Sequence, residues 1–355
     1  MLPNKAAGTP SWPSVYSFAF LLLLCVACNG LQSKKMSEQE KFGWYLSVTA
    51  PEDYPVQVHK GGYLATDKDF ITGIANVGVQ SMGWRKDEMG GAGGGSVIPT
   101  KLSLTWVSYA EKKFWKIDTA LPADTMLALF RKGFMFTDRT GVTSRVTYQG
   151  ITIGLAPGGV VVLWLVAPFQ RTEVGRFQAK ETFVDVNDFY DNPDNDNQQQ
   201  FYDWWYNHSV PKEAQERIKT HGIPFGLWDA YRVHYNYRFR TQFYMDDRDD
   251  YRHCIYLNGE EERLKGEEVY TFMSKPLPWR ADLKFTTKWA EAEFNDEEIM
   301  AAFKELARAN KDEQIEIVCK VGFMYNDATF TVKSSTREIP LKKVRVHMYN
   351  RSVAP

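Results

Sequence analysis

The chain runs to 355 residues and carries 43 basic against 44 acidic side chains, a formal net charge of −1. Nucleic-acid phosphates demand a surplus of Lys and Arg, so no nucleic acid is expected among its partners. An apolar share of 44% and an aromatic share of 14% support a real core, exclude global disorder and favour strands.

The first element is the apolar run Val15 to Cys28, behind a polar start with a single lysine, Lys5. As a helix it would span about 21 Å, short of the roughly 30 Å hydrocarbon core, which suits the apolar region of a secretory signal. Leu24-Cys25-Val26-Ala27 before Cys28 resembles the lipobox of bacterial lipoproteins, in which the cysteine is acylated and becomes the mature N-terminus. Cys25 stands where such boxes usually carry Leu, Val or Ile. An uncleaved anchor and an ordinary cleaved signal are the alternatives. On the lipobox reading, residues 1–28 are a lipoprotein signal peptide with Cys28 as the lipid attachment site, and 29–41 form a flexible polar tether. The membrane is then a partner, held through acyl chains whose buried methylenes contribute about 0.8 kcal/mol each. Asn29 points to the outer membrane of a bacterial envelope, facing the periplasm or the cell surface. After processing, Cys254 and Cys319 remain, and they can pair only if their Cα atoms lie within reach.

The glycine run from Gly90 to Gly95 lacks the Lys-Ser/Thr and the following helix of a phosphate loop. It reads as a mobile loop or a place of close backbone approach. Alternation over Lys101–Tyr109 puts Leu102, Leu104 and Trp106 on one strand face, with Lys113–Asp118 as hairpin partner. Leu121-Pro122 opens a helix with Met126, Phe130 and Phe134 at four-residue spacing. Strands follow at Thr143–Leu155, Val160–Val166 and Thr172–Val184. The second is apolar on both faces, hence central in its sheet.

Asp185–Gln200 is an Asp- and Asn-rich loop. Asn192, Asp194, Asp196 and Asp203 match only part of a calcium-loop pattern, so no metal and no cofactor is expected. Trp204, Trp205 and Tyr206 lie in a dense aromatic cluster and are candidate interaction residues, set against a core-facing short helix. A helix from Pro211 stops at Gly222. Phe225–Phe243 returns to strand, and its alternation places Arg232, His234, Arg238 and Arg240 on one face. Those residues are a candidate ligand face for a carboxylate or phosphate, unless carboxylates on a neighbouring strand occupy them.

Charged turns at Asp246–Asp250 and Asn258–Glu268 suggest a boundary near residue 250, between an α+β domain over 42–250 and a subdomain over 251–355. Asp282–Trp289 reads as a strand, and Asn295 with Glu298 as a capping box for a helix that buries Ile299, Phe303 and Leu306. Ile315–Val321, Ala328–Lys333 and Leu341–Tyr349 finish as strands. KLSLTW…LPADTMLALF and DLKFTT…FNDEEIMAAF both run strand then helix with a terminal Phe, an internal echo that is either a duplication or shared periodicity. None of the six histidines forms a pair at zinc spacing, and there is no Gly-x-Ser-x-Gly elbow, so no catalytic residue is assigned.

Several stretches come in a characteristic order: Gly83-Trp84, the glycine run, Leu104-Thr105-Trp106-Val107-Ser108 with Glu111 and Phe114, Ile153 to Val160 with Trp164, and Gly222-Ile223-Pro224-Phe225-Gly226-Leu227-Trp228. Together they resemble the bacterial lipoprotein family catalogued as Domain of Unknown Function 2931. The resemblance implies an envelope lipoprotein of unassigned activity. Some relatives look like companions of antibacterial secretion systems, which implies an immunity role. The expected fold is α+β, mainly antiparallel sheets with a few short helices in two subdomains. The expected function is a membrane-anchored binding or inhibitor module rather than an enzyme. Its partner would be a secreted toxin or an envelope protein. An envelope enzyme acting on peptidoglycan or glycans and a structural envelope component are the other readings.

Overall fold

The computed structural model describes residues 40–86, 91–137, 142–286, 288–308, 310 and 313–350. The signal-peptide and lipid-attachment readings, Cys28 included, lie outside the described residues. From Phe42 onward the chain forms one compact unit. Its strands are, in order, β1 (Trp44–Thr49), β2 (Val56–Val58), β3 (Gly62–Ala65), β4 (Phe70–Ile74), β5 (Val79–Gln80), β6 (Gly93–Gly95), β7 (Lys101–Ser108), β8 (Lys113–Ala120), β9 (Phe134–Thr137), β10 (Thr143–Val146), β11 (Gly150–Ala156), β12 (Val160–Ala167), β13 (Gln170–Gln178) and β14 (Lys180–Thr182). There follow β15 (Tyr235–Gln242), β16 (Tyr251–Tyr256), β17 (Glu261–Lys265), β18 (Met273–Lys275), β19 (Pro278–Lys284), β20 (Lys288–Glu293), β21 (Ile315–Val321), β22 (Ala328–Lys333), β23 (Glu338–Leu341) and β24 (Arg345–Asn350). The helices are α1 (Ala123–Lys132), α2 (Val186–Phe189), α3 (Gln198–Ser209), α4 (Lys212–His221), α5 (Leu227–Ala230) and α6 (Asp296–Leu306). Among the described residues no helix is long and apolar enough to cross a membrane. The architecture is α+β and mainly antiparallel, as the composition and patterning predict.

The strand order resolves the internal echo. The row β6-β1-β11-β12-β13 is matched place for place by β18-β15-β21-β22-β23. In each row the opening strand pairs parallel with the strand that follows a helix, β1 with β11 after α1 and β15 with β21 after α6. A second row, β14-β8-β7-β3-β4, is matched by β24-β20-β19-β16-β17. Shared periodicity alone would not reproduce strand order, the parallel pair and the helix position together. The echo is a duplication of a two-sheet sandwich. Its aligned helix segments, TMLALF and EIMAAF, bury Met126 and Phe130 in one copy and Ile299 and Phe303 in the other.

The seam between the copies is therefore not near residue 250, which falls between β15 and β16 of the second repeat. Asp246–Asp250 is a connection within the second repeat that buries Asp249 against Arg252, Asn258–Glu268 contains strand β17, and residues 186–230, carrying α2 to α5, link the repeats. A ten-stranded sheet also crosses the seam, because β13 pairs with β17 at Arg171 and Glu261. Buried Arg171 donates to the Gly259 carbonyl at 3.3 Å, which fastens that edge.

Other expected elements are corrected in the same way. Thr172–Val184 and Leu341–Tyr349 each span two strands, and at the same place in each repeat the chain crosses from the first row to the second. At Ala179 alternation runs on from Phe177, so a period of two does not reveal the crossing, whereas Lys342-Lys343 shifts the phase between Leu341 and Val344 at the second. Asp282–Trp289 contains the end of β19, the hairpin turn and the start of β20, and Thr143–Leu155 divides into β10 and β11. Phe134 opens β9 instead of closing α1, since Gly133 ends that helix at φ +53°. Asn295 caps α6 by accepting the Glu298 N–H at 3.0 Å, but the Glu298 carboxylate turns away to accept the Lys342 and Lys343 N–H groups at 2.8 Å each. That clamps the second crossing onto the helix.

Strand β12 is buried along its whole length. Val161, Leu163 and Leu165 face the core of the first sandwich, and Val162, Trp164 and Val166 face the core shared with the linker and second repeat. Gly93–Gly95 of the glycine run pair with β1 as β6, where a Cβ on Gly93 would stand 2.7 Å from the Gly73 carbonyl oxygen. Close backbone approach is thus the reason for glycine.

Candidate functional site

The linker begins by fixing its acidic loop. Asn192 accepts the Asp196 N–H and donates to the Asp196 carbonyl, both at 2.9 Å, while Asn197 caps α3 in a reciprocal box with Gln200. Asp203 is held by Lys112 at 2.5 Å. These side chains close their own bonds, and among the described residues no group of three or more candidate ligands could hold a metal.

Helix α5 pins the two repeats together. Trp228 meets Tyr54 edge-on at 5.3 Å and lies 6.5 Å from Trp84, which in turn meets Trp164 at 4.9 Å. This buried aromatic row demands space beside it, and a Cβ on Gly154 would strike the Trp164 ring. Asp229 takes Arg176 in a two-pronged pair at 2.8 and 2.9 Å. Arg232 binds Glu173 at 2.6 Å. Burial pushes the Glu173 carboxyl above the usual range, against the pull of Arg232. Toward the second repeat, Tyr231 donates to Asp296 at 2.6 Å, and Arg85 reaches the same oxygen at 2.5 Å. Burial and then Asp296 push the Tyr231 hydroxyl pKa up, so it stays a donor. The Arg85 guanidinium sits over Tyr231 and Trp279, 5.1 and 5.3 Å from the ring centres.

Around these groups opens a cleft of about 900 Å³. One wall is residues 51–54 and 83–86 of the first repeat, another is α4 and α5, and the third is the start of α6 with Trp279, Lys343 and Arg345. Ion pairs ring it: Lys86 with Glu52, Arg217 with Asp53 at 2.5 Å, and Arg345 with Glu293. Two neighbouring donors of residues in the wall, Trp84 Nε1 and Arg85 Nε, are buried with no acceptor among the described residues. A buried donor left unpaired costs about 1–3 kcal/mol.

Comparison with known proteins bears on the cleft. A family model described as a protein of unknown function (DUF2931) matches residues 32–226. The chain belongs to the DUF2931 family. The DUF2931 match takes in the first repeat and the linker as far as Gly226, so the second repeat lies beyond it and repeats its topology. No curated protein and no solved structure matches the chain. Two of the stretches on which the sequence resemblance rests, Gly83-Trp84 and Gly222–Trp228, meet in the cleft. The others build the frame: Glu111 accepts the Gly158 N–H at 3.0 Å and Trp115 Nε1 at 3.1 Å, locking the 157–159 turn.

The residues singled out from sequence do not converge. Arg232 and His234 precede β15 rather than lying on it. Arg238 donates to Glu316 at 2.6 Å, and Arg240 reaches the same carboxylate at 3.4 Å, so a neighbouring strand occupies both. Trp205 stacks on Tyr109 at 5.1 Å and Tyr206 lies under the Lys112 ammonium, while Trp204 stays exposed against His208. Asp296, Tyr231 and Arg85, which organise the cleft, carried no motif. Cys254 and Cys319 are buried free thiols, and burial lifts the pKa of each to about 12.

Proposed function

We propose that the protein is a binding module, tethered at a bacterial envelope through lipid on Cys28, that holds a protein partner in the junction cleft. On this reading it is an inhibitor, an immunity protein against a secreted antibacterial toxin. The observation that carries it is the open cleft of about 900 Å³ itself, lined by Arg85, Tyr231 and Trp279 and rimmed by ion pairs. Aromatic and charged side chains converging on one concavity are what an inserted segment of a protein partner engages. The ion pairs already made around the rim favour a preformed receptor over a reacting centre. The immunity role itself rests on the family resemblance.

A second reading, an enzyme acting on peptidoglycan or glycans, draws on Asp296, Arg85 and His221 lining one cleft. Against it, the Asp296 carboxylate already accepts two structural donors.

Co-expression with a toxin encoded beside the gene tests the proposal. The native chain should restore growth, and Met300→Arg, which places a cation inside the cleft, should lose the rescue while remaining folded. No rescue by the native chain removes the immunity role. Release of glycan fragments from purified cell walls, lost in Asp296→Asn, would establish the enzyme instead.

A further inference from the structure

The repeats differ at one end. Strands β1 and β11 run parallel, so the loops leaving their C-terminal ends, 50–55 and 157–159, lie side by side. The linker covers both. Arg217 of α4 meets Asp53 at 2.5 Å, Trp228 packs on Tyr54, and the Phe225 ring lies 3.2 Å from the Cβ position of Gly158. In the second repeat the equivalent loops are 243–250 after β15 and 322–327 after β21. There Tyr244, Met245, Phe323 and Met324 are 58, 63, 60 and 62% exposed. Tyr244 and Phe323 meet edge-on at 4.9 Å, so the two loops form one apolar patch.

The patch is held in shape. Met324 and Tyr325 adopt φ of +55° and +56°, the left-handed region that side chains avoid. Asp247 of the first loop accepts the Tyr325 hydroxyl of the second at 2.6 Å and the Thr286 hydroxyl at 2.5 Å, tying three connections together. Exposed Asp246 and Asp250 flank it, with exposed Arg248 between them, so the loop is net acidic. None of these residues lines the cleft.

We infer that this end of the second repeat is a docking surface for another protein, separate from the cleft. Its occupant is a segment of the kind that covers the first repeat: a short helix or turn that lays an aromatic side chain on Tyr244 and Phe323 and brings an arginine to Asp246. The first repeat supplies the template in its Trp228–Tyr54 and Arg217–Asp53 contacts. The acidic flank selects the basic partner. A second copy of the chain is disfavoured, since Asp246, Asp247 and Asp250 outnumber Arg248 and two such ends would meet with the same net charge.

The probe is a fluorescently labelled peptide of residues 212–231, the chain's own covering segment, titrated into the full chain and followed by anisotropy beside a scrambled control. Saturable binding is expected, weakened about tenfold or more, roughly 1.4 kcal/mol, by Asp246→Lys or by Phe323→Ser with Met324→Ser. A peptide carrying Arg217→Glu should recover binding to the Asp246→Lys chain. That rescue distinguishes a lost contact from a damaged fold. No saturation at millimolar peptide, or binding that these substitutions leave unchanged, overturns the inference. A dimer in sedimentation that Phe323→Ser dissociates would also overturn it, by making the occupant a second copy.

Discussion

Replacing Asp296 is the sharpest test of how the junction is held. Its carboxylate takes the Tyr231 hydroxyl at 2.6 Å and the Arg85 guanidinium at 2.5 Å. The Asp296 and Arg85 side chains are 26% and 15% exposed, so the pair is neither on the surface nor fully buried. Asp296→Ala leaves the guanidinium between Tyr231 and Trp279 without its counter-charge and leaves a buried phenol without an acceptor. Breaking a buried pair costs about 3–5 kcal/mol and an exposed one about 0–1, so partial exposure places the loss near 2 kcal/mol. The favourable placement of a carboxylate in the first turn of α6 adds about 0.5 kcal/mol. Asp296→Asn keeps an acceptor oxygen and should cost about half as much. Urea unfolding at pH 7, followed by tryptophan fluorescence, should rank the native chain above Asp296→Asn and that above Asp296→Ala. An alanine variant within about 0.5 kcal/mol of the native chain would refute the reasoning, because the pair would then act as an ordinary surface pair.

Two further outcomes follow from buried groups. His253 lies between Asp282 at 3.2 Å and Glu261 at 2.6 Å; burial lowers its pKa, and the two carboxylates more than reverse that, leaving it raised. Its contribution to stability is therefore fully present below the unfolded value near 6.5 and is lost as pH rises through the raised folded value. The native chain should exceed His253→Gln in urea stability by more at pH 6 than at pH 9, and a pH-independent gap would contradict this. Gly154→Ala pushes a methyl into the Trp164 ring and to 3.0 Å from Trp84, which should cost about 1–3 kcal/mol and shift the tryptophan emission. Unchanged stability and emission would mean that the aromatic row is loosely packed.

The fold was legible wherever a residue's pattern reflects its own burial. Val160–Val166 is apolar on both faces because two cores press on it, and the echo between TMLALF and EIMAAF marks equivalent helices. The seam was not legible, because charged turns within a sandwich look like charged turns between domains. Nor was the sheet crossing at Ala179, where alternation runs on from Phe177; at 342–344 the Lys342-Lys343 pair shifts the phase by one residue, a signal that marks the second crossing. The arginine row of β15 shows the limit most plainly. Its spacing is correct for one face, yet its chemistry is decided by Glu316 on β21, a parallel neighbour that local sequence cannot reveal. The cleft escaped for the same reason. Gly83-Trp84 and Gly222–Trp228 were each visible as motifs, but only the linker's path brings them together, and Asp296 joins them from the second repeat.

If the junction cleft holds a partner, its three walls should be protected together when that partner binds. Hydrogen–deuterium exchange of the chain, alone and with the product of the adjacent toxin gene, reads this directly. Slowed exchange should appear together at residues 51–54, 217–228 and 293–300, one stretch from each wall. Binding that slows exchange only elsewhere, in α3 or along β15 for example, would contradict it.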